Sequence, residues 1–250
     1  MSFPIVTLFY GAAPQRDAYA PLLRRWLDHH RLLGFGARLV IAHPITEPAP
    51  SADVVGDAQI LALDIKPFAK AIRPAYPFDV KGALMCALIA AKLEALLFLD
   101  LDAFIQRTDM VLPPADVLIG MAHDIGAIDA GHSPFLDAPF ANVKKRCAGV
   151  VWFGVTQAAA AALIGEEYVR AWRDLAEALP GGRVPWEPQL PHLLEQYAWS
   201  LVAHRAGEPV LSDRWNWPPH VRGESRLAYI HHEFGWSKWK ALGRTAPRNV

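Results

Sequence analysis

Apolar and polar positions along this chain fall into blocks whose period switches between that of a strand and that of a helix. Ile5 to Tyr10 (IVTLFY) is a short apolar, β-rich run that ends at Gly11-Ala12-Ala13-Pro14, which predicts a core strand followed by a turn. From Asp17 to Leu33 the apolar residues Tyr19, Leu22, Leu23, Trp26 and Leu27 recur at helical spacing, and Gly34 and Gly36 end the run. Ala37 to Ala42 and Ile60 to Ile65 read as second and third strands. Strand, helix, strand in that order calls for parallel pairing through a helical crossover.

Three prolines and several basic residues make Pro67 to Pro77 a predicted loop. The helix expected from about Val80 to Ala95 is apolar on nearly every side, so it is sandwiched inside the fold. Ala95 to Leu99 is an unbroken apolar strand of the kind found in the middle of a parallel sheet. Val117 to Met121 and Ala148 to Val155 predict further strands, and Thr156 to Leu179 a helix with Thr156 as its N-cap. After the Pro/Gly-rich break from Pro180 to Pro191, a helix over Gln189 to Ala206 closes at Gly207. The tail from Pro209 is rich in Trp, His and Pro and has little regular pattern. There is no internal repeat. The expectation is a single α/β domain over 1–250, with a mostly parallel central sheet flanked by helices.

Charge and cysteine usage narrow the function classes. Lys plus Arg and Asp plus Glu both number 25 in 250 residues, so the basic surplus typical of nucleic-acid or anionic-membrane binders is missing. Any phosphate must be handled by a local site. Cys86 and Cys147 lie far apart in apolar surroundings, which predicts two buried free thiols rather than a disulfide. The longest apolar run, Gly82 to Leu99, is interrupted by Lys92 and Glu94, so no transmembrane segment is expected, and the start has no signal-peptide pattern. The expected location is cytoplasmic.

The most informative residues are Asp100 and Asp102, delivered by an apolar helix and an apolar strand. In an extended chain residues two apart share a face, so both carboxylates project together from the carboxyl end of the strand, where open α/β sheets bind ligands. Two like charges that close call for a cation, and an oxygen-rich site suits Mn²⁺ or Mg²⁺, which in turn bind phosphate oxygens. The tail carries Ile230-His231-His232-Glu233-Phe234-Gly235-Trp236-Ser237-Lys238-Trp239. A neutral imidazole completes such a metal shell, Gly235 lets backbone approach a phosphate, and Lys238 neutralises a diphosphate.

The two patches together resemble the GT-A-type nucleotide-diphospho-sugar glycosyltransferases, especially the glycogenin and lipopolysaccharide-galactosyltransferase group. There a strand ends in D-x-D and a C-terminal H-x-x-G-x-x-K-P-W segment returns to the same metal and diphosphate. His232, Gly235 and Lys238 match that spacing, with His231 as the alternative ligand, and Trp239 stands where the family has proline. The resemblance implies a Rossmann-like GT-A fold with a nucleotide-binding half at about 1–105 and an acceptor and metal-completing half at about 106–250. It also implies a strand and turn holding the base, with Thr7, Tyr10 and Gly11 as donor contacts, and a basic donor contact at Lys81. Ala148 to Phe153 resembles the strand beside the donor sugar, with Cys147 in place of the usual asparagine. Glu195-Gln196 resembles the pair near the anomeric carbon, and Arg214-Trp215-Asn216-Trp217 the segment that follows it.

On this reading Asp102 and His232 bind the metal, Asp100 contacts it or the donor ribose, and Glu195 or Gln196 faces the sugar. Asp124 is a further candidate for sugar contact. The partners implied are a nucleotide-diphospho-sugar donor, with UDP the family's commonest choice, and a saccharide or other small acceptor. The leaning is toward retention. Two alternatives stand beside it: a haloacid-dehalogenase-like phosphatase using Asp100 and Asp102, and a nucleotide-sugar-binding protein that transfers nothing.

Overall fold

The computed structural model describes residues 3–34, 37–72, 77–91, 94–114, 116–123, 140, 143, 146–178, 194–216 and 228–233. Its first strand, β1 (Ile5–Leu8), leads into α1 (Ala13–Leu32), which starts earlier than the periodicity suggests because Pro14 can occupy the first helical turn at no hydrogen-bonding cost. α1 buries Leu22, Leu23, Trp26, Leu27 and His30, a single stripe at helical spacing. After it come β2 (Leu39–Pro44), the short α2 (Ala52–Val55) and β3 (Gln59–Leu63).

The segment expected to be a loop contains α3 (Lys66–Ile72), and α4 (Pro77–Ala91) follows. Two of the prolines that signalled a loop instead stand at helix starts. Pro67 lies in the first turn of α3, where its missing N–H breaks nothing, and the Asp64 carboxylate accepts the Lys66 N–H at 3.0 Å. The residues from Ala83 to Ile89 in α4 are buried on all sides, as its composition requires.

The chain continues through β4 (Leu96–Leu99), β5 (Ala103–Ile105), β6 (Ile119–His123) and β7 (Arg146–Phe153). Then come α5 (Ala158–Ala178), α6 (Leu194–Arg205) and β8 (Val210–Leu211), with Gly207 turning at φ 70° after α6. A 3₁₀ turn at Asp213–Trp215 and β9 (Ile230–His232) give the tail more order than its sequence pattern predicts. The local pattern missed β5 and β9 because three-residue strands have no period to read.

Among the described residues, seven strands form one mixed sheet in the order β3-β2-β1-β4-β7-β6-β8, and β5 pairs with β9 in a separate two-stranded sheet. β4 is central, but only its β1 side is parallel; β7 runs antiparallel to it, with Leu97 opposite Trp152. Alternate residues feed two cores. Val6, Leu8, Phe98 and Val151 face α4, α5 and α6, while Ile5, Leu97, Leu99 and Trp152 share the other core with Leu23, Trp26 and Leu27 of α1. The strand order turns back on itself between β1 and β4, and ligands of open α/β sheets bind outside such a switch point.

Candidate metal and donor site

The ends of β1 and β4 open onto a cleft of about 80 Å³ lined by Phe9, Tyr10, Tyr19, Lys81, Asp100 and Asp102. β4 stops at Leu99, and residues 100–103 form a turn in which the Ala103 N–H donates to the Asp100 carbonyl at 3.0 Å. Strand alternation therefore is not what gathers the two aspartates. The turn does it, and it also launches β5.

β5 pairs antiparallel with β9, which sets His232 opposite Ala103, and the Glu233 N–H extends the ladder to the Asp102 carbonyl at 2.7 Å. His232 Nε2 then lies 3.2 Å from Asp102 Oδ1. One ligand atom from each of Asp100, Asp102 and His232 falls within 4.8 Å of the others. His231 is opposite Phe104, and alternation turns it to the other face of the ribbon, so of the two histidines it is His232 that joins the carboxylates.

The imidazole of His232 is buried and oriented. Its Nδ1–H donates to Asn216 Oδ1 at 2.9 Å, with Cys147 Sγ 3.4 Å from the same nitrogen, so Nε2 is aimed at the carboxylates. Burial lowers the pKa of His232, but the charges of Cys147 and Asp102 outweigh that and raise it to about 10. Without an ion the imidazole is thus held protonated, with Nε2–H donating to Asp102 at 3.2 Å, and a bound cation would take the place of that proton.

Gly149 on β7 clears the space. A Cβ there would sit 2.3 Å from His232 Cε1, 2.8 Å from Asp100 Oδ2 and 2.9 Å from His232 Nε2. A glycine inside a fully buried apolar strand is the sequence signal that points to such a close approach. By resemblance Gly149 falls in the strand beside the donor sugar and Asn216 in the segment after Glu195-Gln196, neither with a role of its own, and the pair Arg25–Glu233 has none.

Lys81, buried on α4, extends the site. Its ammonium donates to Asp100 Oδ2 at 2.9 Å and lies 3.9 Å from Glu195 Oε2 at the start of α6. Burial alone would lower its pKa, but Asp100 and Glu195 raise it well above the ordinary lysine value. Lys81 and Glu195, both singled out from sequence, therefore meet in one buried row with Asp100. Gln196 is half-buried beside Glu195. Tyr10 lines the cleft; Thr7 is buried within β1 and does not. Gly11, at φ 111°, turns the chain away and donates its N–H to Glu47 Oε2 at 2.8 Å. Asp124, Gly235 and Lys238 lie outside the described residues. Both cysteines are free and buried. Among the described residues, no helix is long and apolar enough to cross a membrane.

No protein-family model matches the chain, and no curated protein does. Solved structures do. The galactosyltransferase LgtC in complex with donor and acceptor sugar analogues is 14% identical over 95% of this chain and 89% of its own, with a TM-score of 0.59. Mouse xyloside xylosyltransferase 1, in its apo form, is 14% identical over 93% of this chain and 98% of its own, at 0.52. An active-site mutant of LgtC is 13% identical over 98% of each chain, at 0.55. These neighbours are glycosyltransferases, and the phosphatase alternative is not favoured. Identity this low speaks to architecture, and the architecture is plain: this chain has the GT-A fold, an α/β Rossmann-like sheet with its cleft at the β1/β4 switch point.

Proposed function

We propose that this chain is a metal-dependent glycosyltransferase that moves a sugar from a nucleotide-diphosphate donor, a UDP-sugar, to a saccharide or other small acceptor. One observation carries the reading. Two carboxylates and an imidazole from segments 130 residues apart converge at the switch-point cleft of a GT-A fold. The donor set suits Mn²⁺ or Mg²⁺, and the missing Cβ of Gly149 leaves the three groups free to approach one centre. Asp102 and His232 would hold the ion directly, with Asp100 on the ion or the donor ribose. When bound, the ion supplies Lewis-acid stabilisation to charge building on the leaving diphosphate.

The chain's own residues support the rest. Lys81 pairs with Asp100, with Glu195 3.9 Å away on its buried side, and holds the Asp100 carboxylate at the cleft. Tyr10 and Tyr19, which line the same cleft, offer flat faces for the base, with Thr7 and Gly11 shaping the strand end behind them. Glu195 and Gln196 are assigned to the transferred sugar, with Asp124 as a second contact, and Gly235 and Lys238 to the diphosphate. Retention of configuration and a cytoplasmic location belong to the same reading.

The test is a panel of nucleotide sugars screened for thermal stabilisation with and without Mn²⁺, followed by donor hydrolysis. A donor at 100 times its Kd adds about 2.7 kcal/mol to the folded state, a clear shift in melting temperature. A UDP-sugar should stabilise the protein only when Mn²⁺ is present and should release free sugar slowly. Stabilisation without any hydrolysis or transfer favours the binding-protein alternative, and no stabilisation by any nucleotide sugar ends the proposal.

A further inference from the structure

The metal ligand His232 arrives on a ribbon of two three-residue strands, β5 and β9, and a two-stranded sheet is marginal by itself. What holds it down is α1. His29 Nε2 lies 2.7 Å from the Ile105 carbonyl, and the Ile105 N–H donates to His30 Nε2 at 3.4 Å, so consecutive histidines grip the end of β5. At the other end Arg25 forks onto both oxygens of Glu233, at 2.6 and 2.7 Å, while its guanidinium lies 4.5 Å from the centre of the Phe104 ring. Glu233 is covalently next to His232, and its own N–H is the one bonded to the Asp102 carbonyl. The fork therefore grips a residue tied to both of these ligands.

We propose that Arg25 is a positioning residue for the metal site: through its two-pronged ion pair with Glu233 it holds His232 and Asp102 in ligating register. The pair is suited to this. The Glu233 side chain is only 16% exposed and that of Arg25 34%, so the charges are partly desolvated. A planar fork on a carboxylate fixes direction as well as distance, which an ammonium does not. Metal–ligand distances tolerate only about 0.2 Å of error, so a small rotation of the ribbon suffices to spoil the site. Arg25 is not one of the three ligand residues, although its charge also acts on Asp102. Its hold on the ribbon's geometry travels through Glu233.

The inference rests on the metal-site reading, and the test separates the two. Mn²⁺ alone is titrated into the full chain, with free ion followed by electron paramagnetic resonance, for the wild type, Arg25→Lys, Glu233→Gln and the exchanged pair Arg25→Glu/Glu233→Arg. Melting curves without metal are recorded in parallel. The wild type should bind one Mn²⁺. Arg25→Lys and Glu233→Gln should each bind it about tenfold to a hundredfold more weakly, the range seen for loss of outer-shell partners, at temperatures where both are fully folded. The exchanged pair should recover at least part of that loss. A wild type that binds no Mn²⁺ overturns the metal site itself. A wild type that binds, beside single variants of equal affinity, overturns the latch alone, whatever their melting temperatures do. Arg25→Lys keeps the charge and most of the packing, so the test stands even if harsher variants fail to fold.

Discussion

Replacing Gly149 with alanine adds a single methyl group at the point where the site is tightest. The new carbon would lie 2.3 Å from His232 Cε1 and 2.8 Å from Asp100 Oδ2. Carbon atoms in contact settle at about 3.5 Å, so one partner must retreat by roughly 1.2 Å, the difference between about 3.5 Å and the 2.3 Å here. Neither partner moves freely. β7 is pinned to β4, with Val150 opposite Leu99 and the Asp100 N–H on the Gly149 carbonyl at 2.8 Å. His232 is held at Nδ1 by Asn216 and at its backbone by β5. Overpacking of this kind costs about 1 to 3 kcal/mol of stability. The displacement exceeds the tolerance of about 0.2 Å for metal–ligand bonds several-fold, so Mn²⁺ affinity should fall at least about tenfold, or about 1.4 kcal/mol. Turnover should fall on the order of a hundredfold, as for other misplacements of about 1 Å. Calorimetric titration with Mn²⁺, initial rates with the best donor and urea denaturation report the three quantities separately. Affinity and turnover both within twofold of wild type would refute the reasoning, and a loss of stability alone would mean that β7 yields while the ligands stay.

Other substitutions probe the remaining groups. Asp102→Ala should abolish turnover and Mn²⁺-dependent donor binding while the protein still melts cooperatively; retained turnover sinks the assignment. Lys81→Met removes the ammonium between Asp100 and Glu195 and should cost about 3 kcal/mol in urea denaturation, the low end for a broken buried pair because the Asp100 side chain is 32% open to solvent. An unchanged urea midpoint contradicts the buried-charge row. His30 is held neutral: burial lowers its pKa from 6.5 to about 4, its Nδ1–H donates to the Trp26 carbonyl at 2.7 Å, and Nε2 accepts from Ile105. Between those two values the unfolded chain binds more protons, so His30 makes stability fall as pH drops from about 6.5 to 4. The loss is about 3 kcal/mol once pH is below 4 and is absent above 6.5. Urea midpoints measured across that range should be flatter for His30→Gln than for wild type, and parallel curves contradict the assignment.

The long elements were legible from local pattern alone. α1, α4, α5 and the buried strands β1, β4 and β7 emerge from hydrophobic period within windows of a few residues, since burial of one face imposes that period wherever the element packs. The prolines misled, because Pro67 is equally at home in a loop and in the first turn of α3, and nothing local separates the two. The chemical types at the site were legible too: Asp100, Asp102 and the His231-His232 pair stood out by their chemistry, and Lys81, Glu195 and the choice of His232 came from the resemblance; Asp100, Asp102, Lys81, Glu195 and His232 do meet. Their manner of meeting was not. A turn at residues 100–103, rather than an extended strand, gathers the aspartates, and His232 reaches them only because β5 and β9 pair across 130 residues. Asn216, Gly149 and Arg25 acquire meaning only from that pairing. An acceptor matters when a ring nitrogen faces it, and an absent Cβ matters when a histidine fills its place. Residue chemistry and periodicity are properties of short stretches of chain and so can be read one-dimensionally. Proximity between distant segments is decided by how sheets and helices pack, and only the folded molecule carries it.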